Sequence, residues 1–377
     1  MRSAVDQRVE QAHLAFALDL HRAIAPDANR AVCLSPYSVA SALGLVASGA
    51  AGDTRSELAT LLLGDPGGSL AEHAAVLAEA AALTPDQRGE QPILAVSNSL
   101  WADQNLAVLP DYVDEVLGWP GGAIRQAPFH TDPGKARNLI NADVADTTHD
   151  LIRDLVPDGA ITRDTLATLV NALYLKTSWR NPFTARGTAD RPFHAPGGRI
   201  TVPTMRLTKR LGYAAADGWQ VVVLPAAGGV EAAVLLPDAA LPAAEATLTG
   251  PGLAALLAQP QPTEVDLYLP KFRVSAEAPL KPVLESLGVS TMFGGAADLR
   301  GISDTPLRVD SAWHQAVLTI DEQGLEGAAA TALTMVRMAM ARGPEPVVVR
   351  VERPFLMLVR HPASGAVYFL SRVVAPA

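Results

Sequence analysis

Helix-like spacing of apolar residues dominates the early part of this chain, and strand-like runs dominate the remainder. The spacing predicts helices over 5–24, 38–49, 54–64, 68–83, 110–117 and 134–148. Strands are predicted over 93–101, 167–176, 219–225, 231–236, 264–269, 316–320, 347–352, 355–360 and 366–373. Helices first and strands afterwards predict an α+β fold rather than alternating βαβ units. Thr54, followed three positions later by Glu57, reads as a capping box at the start of the third helix. No repeat, charge block or composition shift marks a boundary, so a single domain over 1–377 is expected. Arg342-Gly-Pro-Glu-Pro346 cannot lie inside a central strand, because proline lacks the amide hydrogen of the ladder. It reads as the far end of an exposed loop.

One segment fits neither an ordinary loop nor an ordinary core element. Glu322-Gln-Gly-Leu-Glu-Gly-Ala-Ala-Ala-Thr-Ala332 lies between the strand-like run Ala316-Val-Leu-Thr-Ile320 and a stretch holding Arg337 and three methionines. Surface loops normally carry polar turn formers, and small side chains lose little rotamer freedom when ordered. The composition suits a segment that is exposed in one state and buried in another. Laid out as a strand, Leu325, Gly327, Ala329, Thr331 and Leu333 face one side. Glu326, Ala328, Ala330, Ala332 and Thr334 then face the other. An Ala-rich helix over 322–340 is the alternative, and local propensity does not choose between them.

Composition acts mainly by exclusion. A hydrophobic content of 49% supports a sizeable core and argues against disorder. The net charge of −9 is spread along the chain, so no basic patch points to nucleic acid. Cys33 is the sole cysteine, which excludes an intrachain disulfide and a multi-cysteine metal site. Its apolar neighbours favour a buried, inert thiol. No metal or cofactor is expected. Asp6, Arg8 and Glu10 precede any apolar run, so no signal peptide is read. The longest apolar stretch, 39–51, is short of the roughly 20 residues that span a bilayer. A cytoplasmic monomer without a membrane partner is expected, with an extracellular location as the alternative if a leader was removed. Neither Gly-x-Ser-x-Gly nor His-Glu-x-x-His occurs, and the eight histidines are scattered, which argues against a hydrolase.

Several motifs follow one another along the chain. Leu34-Ser-Pro-Tyr-Ser-Val39 leads into an Ala/Gly-rich helix and Gly52-Asp-Thr54. Asn171-Ala-Leu-Tyr-Leu-Lys-Thr-Ser-Trp179 is followed by Asn181-Pro-Phe183. Leu269-Pro-Lys-Phe272 precedes a helix ending in Leu287-Gly-Val289, and Ala297-Asp-Leu-Arg-Gly301 comes next. His314-Gln-Ala-Val-Leu-Thr-Ile-Asp-Glu-Gln-Gly324 leads into the small-residue segment. Arg353-Pro-Phe-Leu-Met-Leu-Val-Arg-His361 and Val367-Tyr-Phe-Leu-Ser-Arg-Val-Val-Ala-Pro376 close the chain. From about residue 12 to 376 this order resembles the serpin family, and the missing leader suggests a prokaryotic-type intracellular or leaderless member. The resemblance implies an α+β serpin fold: three β-sheets, about eight or nine helices and an exposed reactive-centre loop over about 322–346.

It also implies roles for particular residues. Ser35, Ser38, Asn171 and His314 match the polar shutter where the central strands of the main sheet must part. On the residues alone, the two serines read equally as helix caps and His314 as a satisfied core histidine. Glu322 and Lys271 resemble the ion pair at the top of that sheet, the breach, with Trp179 packed nearby. The hinge would comprise Glu322, Gly324, Leu325, Gly327, Ala328, Ala329 and Ala330, with Gly324 supplying backbone freedom. Four positions depart from the family pattern. Leu325 stands where inhibitory members usually have Thr or Ser, and Gly327 where Ala is commoner. Asp143 replaces a usual Trp, and Asp150 a common Gly.

Family spacing from Glu322 places the reactive bond between Met338 and Ala339, with Arg337–Met338 as the alternative. The first suits a serine protease of chymotrypsin-, elastase- or subtilisin-like preference, the second a trypsin-like enzyme. The implied activity is that of a suicide substrate, not an enzyme. The protease forms its acyl-enzyme on the loop, the freed loop enters the main sheet as a new strand, and the trapped enzyme stalls. The alternative is a non-inhibitory member, cleaved as a substrate or serving as a binding protein.

Overall fold

The computed structural model describes residues 4–85, 91–325 and 345–376. All six helices read from the apolar spacing are present: Ala4–Ile24, Pro36–Ser48, Gly52–Leu63, Leu70–Ala81, Pro110–Val116 and Pro133–Thr147. Leu280–Ser286 matches the helix implied by the family pattern, and Leu241–Thr247 and Gly250–Ala258 are additional. Proline stands in the first turn of Pro36–Ser48, Pro110–Val116 and Pro133–Thr147, where its missing amide hydrogen leaves no bond unmade. No helix among the described residues is long and apolar enough to cross a membrane.

The capping box at Thr54 is a correction. The helix begins earlier, at Gly52, with Ala51 in the cap position and no side-chain bond there. Thr54 instead accepts the Asp298 amide at 3.0 Å through its hydroxyl. Glu57 accepts the Ser290 and Thr291 amides at 2.8 and 2.9 Å. Both side chains serve a distant loop in place of the helix's own first turn.

Among the described residues, two hydrogen-bonded sheets carry the strands, where the family pattern implied three. One has nine strands, with Gly198–Ala216 as its longest. That strand pairs in turn with Ala189–Ala195, Gln261–Pro270 and Trp219–Pro225, joining two strand groups into one network. Phe355–Arg360 and Val367–Val373 are buried throughout, which explains why they are mostly apolar, and their buried Arg360 and Arg372 are paired with Glu231 and Glu245.

The second sheet has six strands in the order Phe272–Pro279, Ser311–Ile320, Gly324–Leu325, Ala167–Ser178, Ile93–Asp103 and Gly122–Ala127. The almost wholly buried helix Pro36–Ser48 packs against it. Gly44 permits a close approach there, since a β-carbon would fall 2.2 Å from the Trp119 ring.

Candidate functional site

The centre of the six-stranded sheet is a junction that closes only part of its length. Ser311–Ile320 and Ala167–Ser178 run parallel and pair from Ser311↔Thr168 to Ala316↔Leu173. Above Ala316 they separate, and Gly324–Leu325 enters between them, antiparallel to both. Leu325 pairs with Ile320 on one side and Thr177 on the other, and its side chain is fully buried. Leu325, expected as the first inserted residue, is thus already accommodated as apolar core. Gly324 has a role different from the backbone freedom expected of it. It is absent from the positive-φ residues, and a β-carbon there would meet the Thr177 carbonyl oxygen at 2.1 Å. Close approach of two backbones is what demands glycine here.

Below this wedge, the four expected shutter residues come together. His314 stands across from Asn171, and Asn171 across from Asn98, forming a polar row over three adjacent strands. The Ser35 amide donates to His314 Nε2 at 3.1 Å, so Nε2 must hold a lone pair. Nδ1 therefore carries the proton and donates to Asn171 Oδ1 at 2.5 Å. Asn171 Nδ2 donates to Asn98 Oδ1 at 2.8 Å, and the Ser38 hydroxyl to the same oxygen at 2.9 Å. Asn98 Nδ2 ends the chain on the Pro120 carbonyl at 3.0 Å. Ser35 also caps the helix, its hydroxyl accepting the Ser38 amide at 3.2 Å, so both readings of this serine hold. Burial lowers the His314 pKa to about 3, with its bond to Asn171 opposing. The imidazole is neutral, and protonation would turn Nε2 into a donor facing a donor.

Asn98 is the residue that sequence reading missed. It lies inside the predicted 93–101 strand, and Ser97-Asn98-Ser99 is a polar triplet inside an otherwise apolar run. That triplet was the available signal.

At the top of the sheet, Lys271 Nζ meets Glu322 Oε2 at 2.7 Å, and the Thr188 hydroxyl donates to Glu322 Oε1 at 2.7 Å. Burial pushes the Glu322 pKa up, but the bonds from Lys271 and Thr188 outweigh it and the net direction is down. Trp179 is buried and binds the segment twice: Nε1 donates to the Asp321 carbonyl at 2.9 Å, and its amide to the Gln323 carbonyl at 2.8 Å. The Phe183 amide holds the Glu322 carbonyl at 2.9 Å. Asp321 Oδ1 accepts the Gln323 and Gly324 amides at 2.8 and 3.1 Å, which turns the chain back into the sheet. The expected breach trio is therefore assembled around the base of the segment.

The departures at Asp143 and Asp150 also have physical accounts. Asp143 receives Arg125 at 2.8 Å and the Ser97 hydroxyl at 3.2 Å, tying helix Pro133–Thr147 to the strands beneath. Asp150 has φ of 64°, a left-handed conformation that favours glycine. Gly327, Ala328, Ala329, Ala330, Arg337, Met338 and Ala339 lie outside the described residues. Cys33 is buried, and desolvation pushes its thiol up to about 12, as expected of an inert cysteine. No cluster of three or more metal-ligating side chains occurs among the described residues.

Comparison with known proteins identifies the family. The family model for Serpin (serine protease inhibitor) matches residues 11–376. Iripin-2 of Ixodes ricinus is 32% identical over 98% of this chain and 94% of its own length. An alpha-1-antitrypsin-like protein, GS55-MS, of Ictidomys tridecemlineatus is 33% identical over 96% of this chain and 87% of its own. Both relatives are eukaryotic, so they lend no support to the prokaryotic-type subgroup expected from the sequence. Human thyroxine-binding globulin, solved with thyroxine, superposes with a TM-score of 0.84 at 24% identity, over 99% of this chain and all of that one. The wedge, the polar row and the Lys271–Glu322 pair thus sit in a chain that belongs to the serpin family, whose members are generally serine protease inhibitors.

Proposed function

We propose that this serpin inhibits a serine protease as a suicide substrate. The observation that carries the reading is the unfinished junction, with Gly324–Leu325 wedged above a short parallel zip that contains His314 and Asn171. Extending the wedge downward replaces one parallel pairing with two antiparallel ones, which are slightly stronger per residue. Roughly ten added ladder bonds at about 1 kcal/mol each supply a large driving force. The polar row resists opening yet can exchange partners as the strands part.

The chemistry begins with cleavage in the segment after Leu325. The target serine hydroxyl attacks the carbonyl carbon of Met338, and its proton passes through the protease's own base to the leaving amine of Ala339. An ester to Met338 forms as the peptide bond breaks. Inserting the freed chain carries the ester-linked protease to the far end of the sheet, and deacylation stalls once the protease is distorted. With Arg337–Met338 as the bond cleaved, the same sequence serves a trypsin-like enzyme.

A second reading, a non-inhibitory member, draws on Leu325 in place of the usual Thr or Ser. Incubation with chymotrypsin and, separately, trypsin distinguishes the two. Inhibition gives an SDS-resistant complex and a released C-terminal peptide whose mass locates the bond. Cleavage within 335–342 by every serine protease tried, without such a complex, rejects the inhibitor reading.

A further inference from the structure

Three guanidinium groups gather around one tyrosine ring on the nine-stranded sheet. Tyr268 stands across from Arg206 on one neighbouring strand and from Arg350 on the other. The guanidinium carbons of Arg350, Arg191 and Arg206 lie 4.5, 4.6 and 5.2 Å from the ring centroid. Cation–π attraction favours each contact separately. The ring thereby gathers three like charges.

Only one of the three charges is neutralised by a carboxylate among the described residues. Arg206 donates Nε and Nη2 to Asp266, both at 2.9 Å. Arg191 and Arg350 have no carboxylate partner among the described residues, and Arg191 Nε is buried without a hydrogen-bond partner there. Leaving a buried donor unpaired is costly, more so for a charged group. Both arginines line a cavity of about 300 Å³ together with Tyr268, Thr204 and Glu352. Guanidinium forks bind oxyanions bidentately. Glu352, also in the lining, limits the positive charge, which suits one compact anion and disfavours a polyanion.

We propose that Arg191 and Arg350, held over Tyr268, form a binding site for a tetrahedral oxyanion, the phosphate or sulfate group of a small ligand. The anion bridges strand Ala189–Ala195 to Val347–Arg350, a four-residue strand at the sheet edge. Bound anion therefore stabilises the native state by mass action. The site and its test are independent of protease inhibition.

Calorimetric titration of the full chain with inorganic phosphate, and separately with sulfate, at constant ionic strength tests the site. Saturable 1:1 binding of at least one anion is expected, and the tighter one identifies the ligand class. Affinity falls about tenfold or more in Arg191→Gln and in Arg350→Gln, the loss of a bidentate charge-assisted contact. It is unchanged in Arg199→Gln, an exposed arginine on the same hairpin. Arg350 is exposed, so its variant remains informative if Arg191→Gln fails to fold. No saturable binding of either anion, acetate binding as tightly as both, or undiminished affinity in Arg350→Gln overturns the proposal.

Discussion

Leu325 is fully buried between Ile320 and Thr177, so its side chain decides whether the chain stays in the sheet. A Leu325→Arg variant buries an unpaired charge at a cost of several kcal/mol. The expected outcome is expulsion of the wedge: protease still cleaves, but the yield of SDS-resistant complex falls at least tenfold. Glu322 is the second lever. Its pair with Lys271 is partly exposed on the lysine side, so Glu322→Gln should lower native stability by about 1–2 kcal/mol, between surface and buried values. Urea midpoints read that difference directly. Asp150 offers the opposite sign. Asp150→Gly relieves a left-handed backbone and should stabilise by about 0.5–1 kcal/mol. At this scale the structure brings together the residues that the family pattern pointed to, Ser35, Ser38, Asn171 and His314 in one network and Lys271, Trp179 and Glu322 in another. The pattern missed Asn98, because a strand's period says which face a residue occupies and not which distant partner it meets.

Elements were legible where apolar periodicity was strong. The early helices and the buried strand pair near the C-terminus are such cases. Gly198–Ala216 escaped because it carries Gly198, Pro203 and Gly212 among alternating charges, all of which weaken a strand signal. Gly250–Ala258 opens on Gly-Pro-Gly, which reads as a turn until its buried leucines are seen from the core side. Helix Pro133–Thr147 is held by an ion pair in place of the aromatic anchor its position led one to expect. Asp143→Ala removes the bonds to Arg125 and Ser97 and should cost about 1 kcal/mol, read again by urea denaturation. For Gly324–Leu325 the family pattern gave the hinge, but not that the two residues are already paired in the sheet. Two residues carry no periodicity, and only the separation of their neighbours above Ala316 gives them a place.

Across the whole molecule, three buried histidines make stability sensitive to acid. Burial lowers His314 to about 3, His13 to about 3 and His73 to about 4, with the neighbouring His73 adding to the effect on His13. In the unfolded chain each titrates near 6.5, so below that pH the unfolded state binds more protons than the native state. Stability is therefore fully present above about pH 6.5 and falls as pH drops toward 4, by roughly 1.4 kcal/mol per unit for each histidine. Glu245 acts at lower pH. Burial raises its pKa, but His21 and Arg372 outweigh that and bring it to about 2, so its contribution is lost as pH falls from about 4.5 to 2. Denaturation midpoints at pH 7.5, 6 and 5 should decline in that order.

The central claim is that the parallel junction between Ser311–Ile320 and Ala167–Ser178 opens to admit a whole strand. Its most direct test compares the melting temperature of the intact chain with that of the chain nicked once within 335–342. Insertion of the freed strand should raise it by about 10 °C or more, given some ten new ladder bonds. An unchanged or lower melting temperature would mean that the wedge at Leu325 goes no further, contradicting the account.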